Sequence, residues 1–171
     1  MARKVMIVTM LAMALSRAVY AQDREPSFVG HALKSTFLDP STYAPAGLFY
    51  DATMRDWKTS QPFFRNGFVE HNSRFTRSGF SNDIPISYED GRKQILIDSL
   101  VVLGVSAVHN FTERLIQHGL KNHFSEHKKK VLVLGIIERS AVATIQSFEL
   151  AAPHYYQWRD NVRLAQQMGL R

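Results

Sequence analysis

Two apolar runs, Ile95 to Val108 and Val131 to Ile145, constrain the fold more than any other feature of the chain. Both lie within segments bounded by helix signals, and no stretch alternates as a half-buried strand would. Ser87-Tyr88-Glu89-Asp90 is a capping box of the Ser-x-x-acidic type and opens a helix that extends to about His123. A further helix runs from about Lys129 to Ala152. Folding the two about Ser125–Lys128 gives a central antiparallel hairpin that brings Glu113 near Arg139 and Arg114 near Glu138. At least one of these ion pairs is expected to form, and a buried pair contributes specificity more surely than stability.

The rest of the chain also reads as helix and loop. Asp39-Pro40 is a helix start, an N-cap side chain followed by a proline whose missing N–H costs nothing at the first position. The first long helix is predicted from about Thr42 to Asn66, bent or interrupted near Pro62, with Leu48, Phe49, Ala52 and Trp57 as its buried stripe. Phe68 to Ile86 is a loop that Phe75 and Phe80 tuck against the helices. On the third helix, Ser140 and Thr144, then Ala143, Ser147 and Ala151, recur four apart and allow close approach of another backbone. Pro153 is expected to break or kink the chain before a shorter amphipathic helix from His154 to Gln167, ended by Gly169. The fold class is therefore all-α, a helical bundle of three main helices plus a shorter C-terminal helix.

Residues 1–21 read as a secretory signal peptide, with Arg3 and Lys4 before the apolar stretch Val5–Leu15 and a cleavage point after Ala21. An N-terminal arm, 22–41, and a helical domain, 42–171, follow. Of the formal net charge of +6, the signal carries three basic residues and no acidic one, which leaves +3. That is no basic footprint for nucleic acid, and no nucleic-acid motif accompanies it. The chain has no cysteine, which removes disulfides, thiolate chemistry and Cys-based zinc sites together.

Polar residues fall in a specified order from Asp56 to Asn72. Asp56, Thr59 and Ser60 share one helix face, and Asn66-Gly67 is a helix stop. Glu70 and Asn72 follow, and the Glu70 carboxylate is placed to accept from backbone N–H groups or from Thr59. The pattern Asp56-x-x-Thr59-Ser60, then Gly67-x-x-Glu70-x-Asn72, resembles one in small uncharacterised bacterial helical membrane proteins, where Asp-x-x-Thr-Thr precedes Gly-x-x-Glu-x-Asn-Pro. Ser73 stands in place of that proline, and Arg55, Lys58 and Arg65 make this helix more polar than a membrane span. The resemblance implies a helical, membrane-linked protein and no particular activity.

Runs of about 14 residues are short for a bilayer, which needs about 20, and both runs carry ionisable groups. The small-residue face, the aromatic residues Tyr155, Tyr156 and Trp158 and the basic turn Lys128–Lys130 are membrane-protein features. With the signal cleaved, the turn faces inward, as the positive-inside rule asks. His123-Phe-Ser-Glu-His127 has the His-x-x-Glu-His zinc spacing, but it lies at a turn beside three lysines, and the candidate pair His123 and His127 would need Glu138 or Glu149 as its third ligand. The candidate polar cluster is Asp56, Thr59, Glu70, Asn72, Glu113, Glu138 and Arg139. No motif organises it into a mechanism, and no cofactor is implied. The expectation is an exported envelope protein, in the inner membrane or periplasm, with a structural or interaction role and lipid or another envelope protein as partner. The alternatives are a hydrolase-like enzyme with an acidic site and a soluble periplasmic binding module with a small-molecule ligand of unknown kind.

Overall fold

The computed structural model describes residues 27–170, so the signal peptide expected at 1–21 lies outside the described residues. The protein is all-α, built on three long helices. We number the helices α1 (Phe28–Leu38), α2 (Pro40–Arg65), α3 (Tyr88–His123) and α4 (Lys128–Met168), with 3-10 turns at Ser73–Phe75 and Ser125–His127. Among the described residues, extended pairing is limited to two isolated bridges, Glu70 with Asp83 and Thr76 with Pro85.

The helix starts follow local chemistry. Asp39 accepts from the Ser41 N–H at 3.1 Å with Pro40 in the first turn, and Ser87 accepts from the Asp90 N–H at 3.1 Å. Gly67, at φ 86°, takes the left-handed conformation that ends α2. The N-terminal arm is not loop throughout: Phe28–Leu38 is helical, capped by Ser27, and ends one residue before α2 begins. Asp39 is both the C-cap of α1 and the N-cap of α2. Side chains of α2 satisfy the carbonyls left at the break, Thr42 donating to Thr36 O at 2.7 Å and Tyr43 to Phe37 O at 2.8 Å.

The separate C-terminal helix does not form. α4 passes through Pro153 without interruption for 41 residues. A proline removes one helical hydrogen bond, but contacts on the same helix, Tyr155 to Asp51 at 2.7 Å and Asn161 to Asp56 at 3.1 Å, hold the following turns against α2. Gly169, at φ 66°, ends α4 as expected.

α2 packs most extensively on α4 and next on α3. Ala143, Ser147 and Ala151 are buried and line the α2–α4 groove, as their spacing predicts, whereas Ser140 and Thr144 are exposed. The predicted α2 stripe is half right: Ala52 and Trp57 are buried, Phe49 is half-buried and Leu48 is exposed. Phe75 is buried against Trp57 and Ile95, but Phe80 points outward. Side-chain hydrogen bonds between α3 and α4 join Ser106 to Gln146 and Glu113 to Arg139, and Gln117 donates to the Val131 and Leu132 backbone carbonyls.

Along their apolar stretches α3 and α4 turn most large aliphatic side chains outward, and their buried positions, Ile95 apart, hold small or polar residues. Ser99, Ser106, Asn110, Gln117, Arg139 and Ser147 are buried. On α3, Leu96, Ile97, Leu100, Val101, Val105 and Val108 are exposed, as are Val133, Leu134, Ile136, Ile137 and Ile145 on α4. Both helices are long and apolar enough to cross a membrane, and only 28% and 22% of their most apolar stretches are buried, far less than in a core helix of a globular protein.

Candidate functional site

The sequence-predicted polar residues separate into two clusters rather than one, with Glu138 in neither. The first surrounds the α1–α2 break. Arg114 donates to Asp39 Oδ2 at 2.6 Å, and Arg139 donates to the same oxygen at 3.1 Å. A second N–H of Arg139 reaches Glu113, so one expected ion pair is present. The other is not: Arg114 turns to Asp39, and Glu138 lies 3.1 Å from His109 Nε2 without the alignment of a hydrogen bond. Arg139 is 4% exposed, so its charge depends on these carboxylates. Asp39, Glu113, Arg114 and Arg139 balance, two charges of each sign. Beside them, Asn110 donates to Thr42 Oγ1 at 2.7 Å and to Ser41 Oγ at 3.0 Å, tying α3 to the first turn of α2.

The second cluster lies where α2, the Phe68–Ile86 loop and the C-terminal half of α4 meet. Asp56 Oδ2 is 2.8 Å from His154 Nδ1, and its Oδ1 accepts from Asn161 at 3.1 Å. Asn161 also donates to Ser60 Oγ at 3.0 Å, and Gln157 orients it by donating to its Oδ1 at 2.9 Å. Thr59 stands at the edge, its hydroxyl donating back to the Arg55 and Asp56 carbonyls rather than to Glu70. A cavity of about 310 Å³ opens here. Asp56, Glu70, Asn72, His154 and Asn161 line its polar side, and Trp57, Phe63, Phe64 and Phe75 its aromatic side.

The loop sets Glu70 in place. Glu70 N donates to Asp83 O at 2.9 Å and Asp83 N to Glu70 O at 3.2 Å. Glu70 Oε1 accepts from the Asn72 N–H at 2.7 Å, the backbone contact its position predicts. Asn82, at φ 62°, and Gly79, at φ 77°, supply the left-handed residues of the reversal. The Asp83 carboxyl is held below its ordinary value by the Ser78 hydroxyl and then by the Ile84 backbone N–H, which favour its ionised form.

His123 and His127 do not share a helix, since α3 ends at His123 and a 3-10 turn carries His127. The i, i+4 argument for a shared metal therefore loses its geometry. Among the described residues, no three His, Asp or Glu side chains gather to hold a metal. Sequence reasoning did not single out Asp39 or Asn161 as partners in these clusters. Each pairs across about a hundred residues, Asp39 with Arg139 and Asn161 with Asp56, and no local spacing signals such a match.

No family model matches the chain, and neither the curated proteins nor the solved structures contain a significant match.

Proposed function

We propose that the protein is an integral membrane protein in which α3 and α4 form an antiparallel hairpin across the bilayer, the core of a small helical bundle with a structural or interaction role. One observation carries this reading: along the apolar stretches of α3 and α4 most large aliphatic side chains face outward, while the buried positions, Ile95 apart, hold small or polar residues. Water would select the opposite arrangement, because exposing large aliphatic side chains costs about 25 cal/mol for every Å². A bilayer selects this one, since lipid accepts leucine and isoleucine while buried polar groups must find partners within the protein. The balanced quartet of Asp39, Glu113, Arg114 and Arg139 fits the same environment. So does the resemblance of Asp56–Asn72 to small bacterial helical membrane proteins. In a bacterial envelope the reading places the hairpin in the inner membrane with the Lys128–Lys130 turn on the cytoplasmic side. Another envelope protein or lipid would be the partner of its apolar faces.

Single-cysteine labelling tests this cleanly, because the chain contains no native cysteine. Full-length protein carrying Leu100→Cys or Ile136→Cys is expected to resist a membrane-impermeant maleimide in native membranes and to resist extraction by alkaline carbonate. Phe124→Cys, beside the turn, is expected to label from one side only. Rapid labelling at Leu100→Cys and Ile136→Cys, with release by carbonate, would refute integration and favour a soluble module.

A further inference from the structure

The two ends of the α3–α4 pair are charged differently. Where α3 begins, basic residues are neutralised within their own helix: Arg92 lies 3.3 Å from Glu89 and Lys93 3.4 Å from Asp90. At the turn, exposed aliphatic residues stop at Leu120 on α3 and start again at Leu132 on α4. Lys121, Lys128, Lys129 and Lys130 stand in the gap between them. Among the described residues, none of these four has an ion-pair partner. Lys121 Nζ meets the neutral Gln117 Oε1 at 3.5 Å, and Glu126, the one acid between Lys121 and Lys130, is exposed and pairs with no lysine.

This placement opposes local helix chemistry. Lys128, Lys129 and Lys130 fill the first turn of α4, which has no acidic residue and no side-chain cap. The positive end of a helix disfavours cations there, and three adjacent charges of one sign repel one another. Lys121 also edges a recess of about 230 Å³ between α1, α3 and α4, and among the described residues no carboxylate lines it. Four cations left uncompensated at one level, in a fold that pairs its cations at the other end, complement a negative surface outside the protein. We propose that this end of the hairpin binds the headgroups of anionic phospholipids in preference to zwitterionic ones. The proposal rests on the bilayer reading above, which sets the four lysines at headgroup depth, just past the end of the apolar band. Lysine suits that depth, because its alkyl stem lies along the apolar surface while its ammonium reaches the headgroups. A basic cluster immediately beyond a membrane helix is attracted by the negative potential of an anionic leaflet.

The test is electron paramagnetic resonance of the full-length protein in phosphatidylcholine vesicles that contain a trace of spin-labelled phosphatidylglycerol or spin-labelled phosphatidylcholine. Lipid held at the protein surface adds a motionally restricted component to the spectrum. We expect phosphatidylglycerol to associate about fivefold more strongly than phosphatidylcholine, the gain that one lysine beside an anionic surface supplies. The preference should fall away in about 1 M salt, where charges are screened within about 3 Å. Lys121→Gln, Lys128→Gln, Lys129→Gln and Lys130→Gln together should abolish it. Arg92→Gln with Lys93→Gln, which removes two cations already neutralised, should leave it intact. Equal restriction of both labels by the parent protein overturns the proposal while leaving the membrane hairpin standing. A preference that survives the four lysine substitutions overturns it in the same way. Absence of a restricted component with either label, with release of the protein by alkaline carbonate, overturns the hairpin and this proposal together.

Discussion

Arg114 donates to Asp39 at 2.6 Å across 75 residues of chain, and that carboxylate also receives Arg139. One residue thus ends α1 through its backbone N–H, and its carboxylate begins α2 and neutralises cations from both long apolar helices. Asp39→Asn preserves N-capping, because asparagine caps as well as aspartate, but leaves two largely buried guanidinium groups short of a counter-charge. We expect a loss of about 3 kcal/mol. Asp39→Ala should cost about 1 kcal/mol more through the missing cap. Unfolding midpoints in detergent measure both. Equal stability of Asp39→Asn and the parent protein would show that the arginines do not depend on this charge.

Two glycines of α3 should respond in opposite directions. A Cβ at Gly91 would meet Trp57 ring atoms at 2.2–2.4 Å, and that ring is fixed by burial and by its hydrogen bond to the Tyr88 carbonyl at 3.1 Å. Gly91→Ala is expected to destabilise by about 2 kcal/mol through overpacking. Gly104 has nothing within 4 Å of the same position, so Gly104→Ala should gain about 0.8 kcal/mol of helix propensity. The pair of thermal midpoints checks the Trp57–Gly91 contact.

Leu134 separates the bilayer from water as its surroundings. It is 64% exposed and touches little of the protein. In water, Leu134→Lys would change stability by no more than about 0.5 kcal/mol. In a bilayer a lysine at this position, about one turn into the apolar stretch that begins at Val131, costs up to about 3 kcal/mol of insertion free energy. We expect the variant to show sharply lower membrane recovery by fractionation, while Lys129→Leu at the turn does not.

Much of the helix punctuation was legible in the sequence because it is written in adjacent residues. The Asp39-Pro40 start, the Ser87 cap and the Gly67 and Gly169 stops each depend on side chains within a turn of one another. The Glu113–Arg139 contact was also legible, since the turn position fixes which residues of α3 and α4 meet. α1 was missed because Phe28–Leu38 mixes apolar and polar residues without a clean stripe, its Phe28, Val29, Phe37 and Leu38 all remaining exposed. The predicted break at Pro153 failed because a local rule lost to tertiary contacts on α4. The site divided for a similar reason. Asp56 and Arg139 lie on different helices at different levels, and only packing tells which polar residues share a neighbourhood.

Acid should loosen the loop that carries Glu70. The Asp83 carboxyl titrates below its unfolded value, so its contribution is complete above about pH 4, the unfolded range. It is lost as pH falls through the depressed folded value. Thermal midpoints followed from neutral pH downward should therefore fall more steeply for the parent than for Asp83→Asn. Parallel curves would show that Asp83 is not selectively ionised in the folded loop.

The buried polar side chains of α3 and α4 also determine where one helix stops along the other. A slide of α4 by one turn, about 5.4 Å, would leave every outward leucine and isoleucine in an equivalent environment. It would at once take Arg139 off Glu113, Gln146 off Ser106 and the Val131 carbonyl off Gln117. The greasy surface is indifferent to longitudinal position, and a few inward polar side chains act as its vernier.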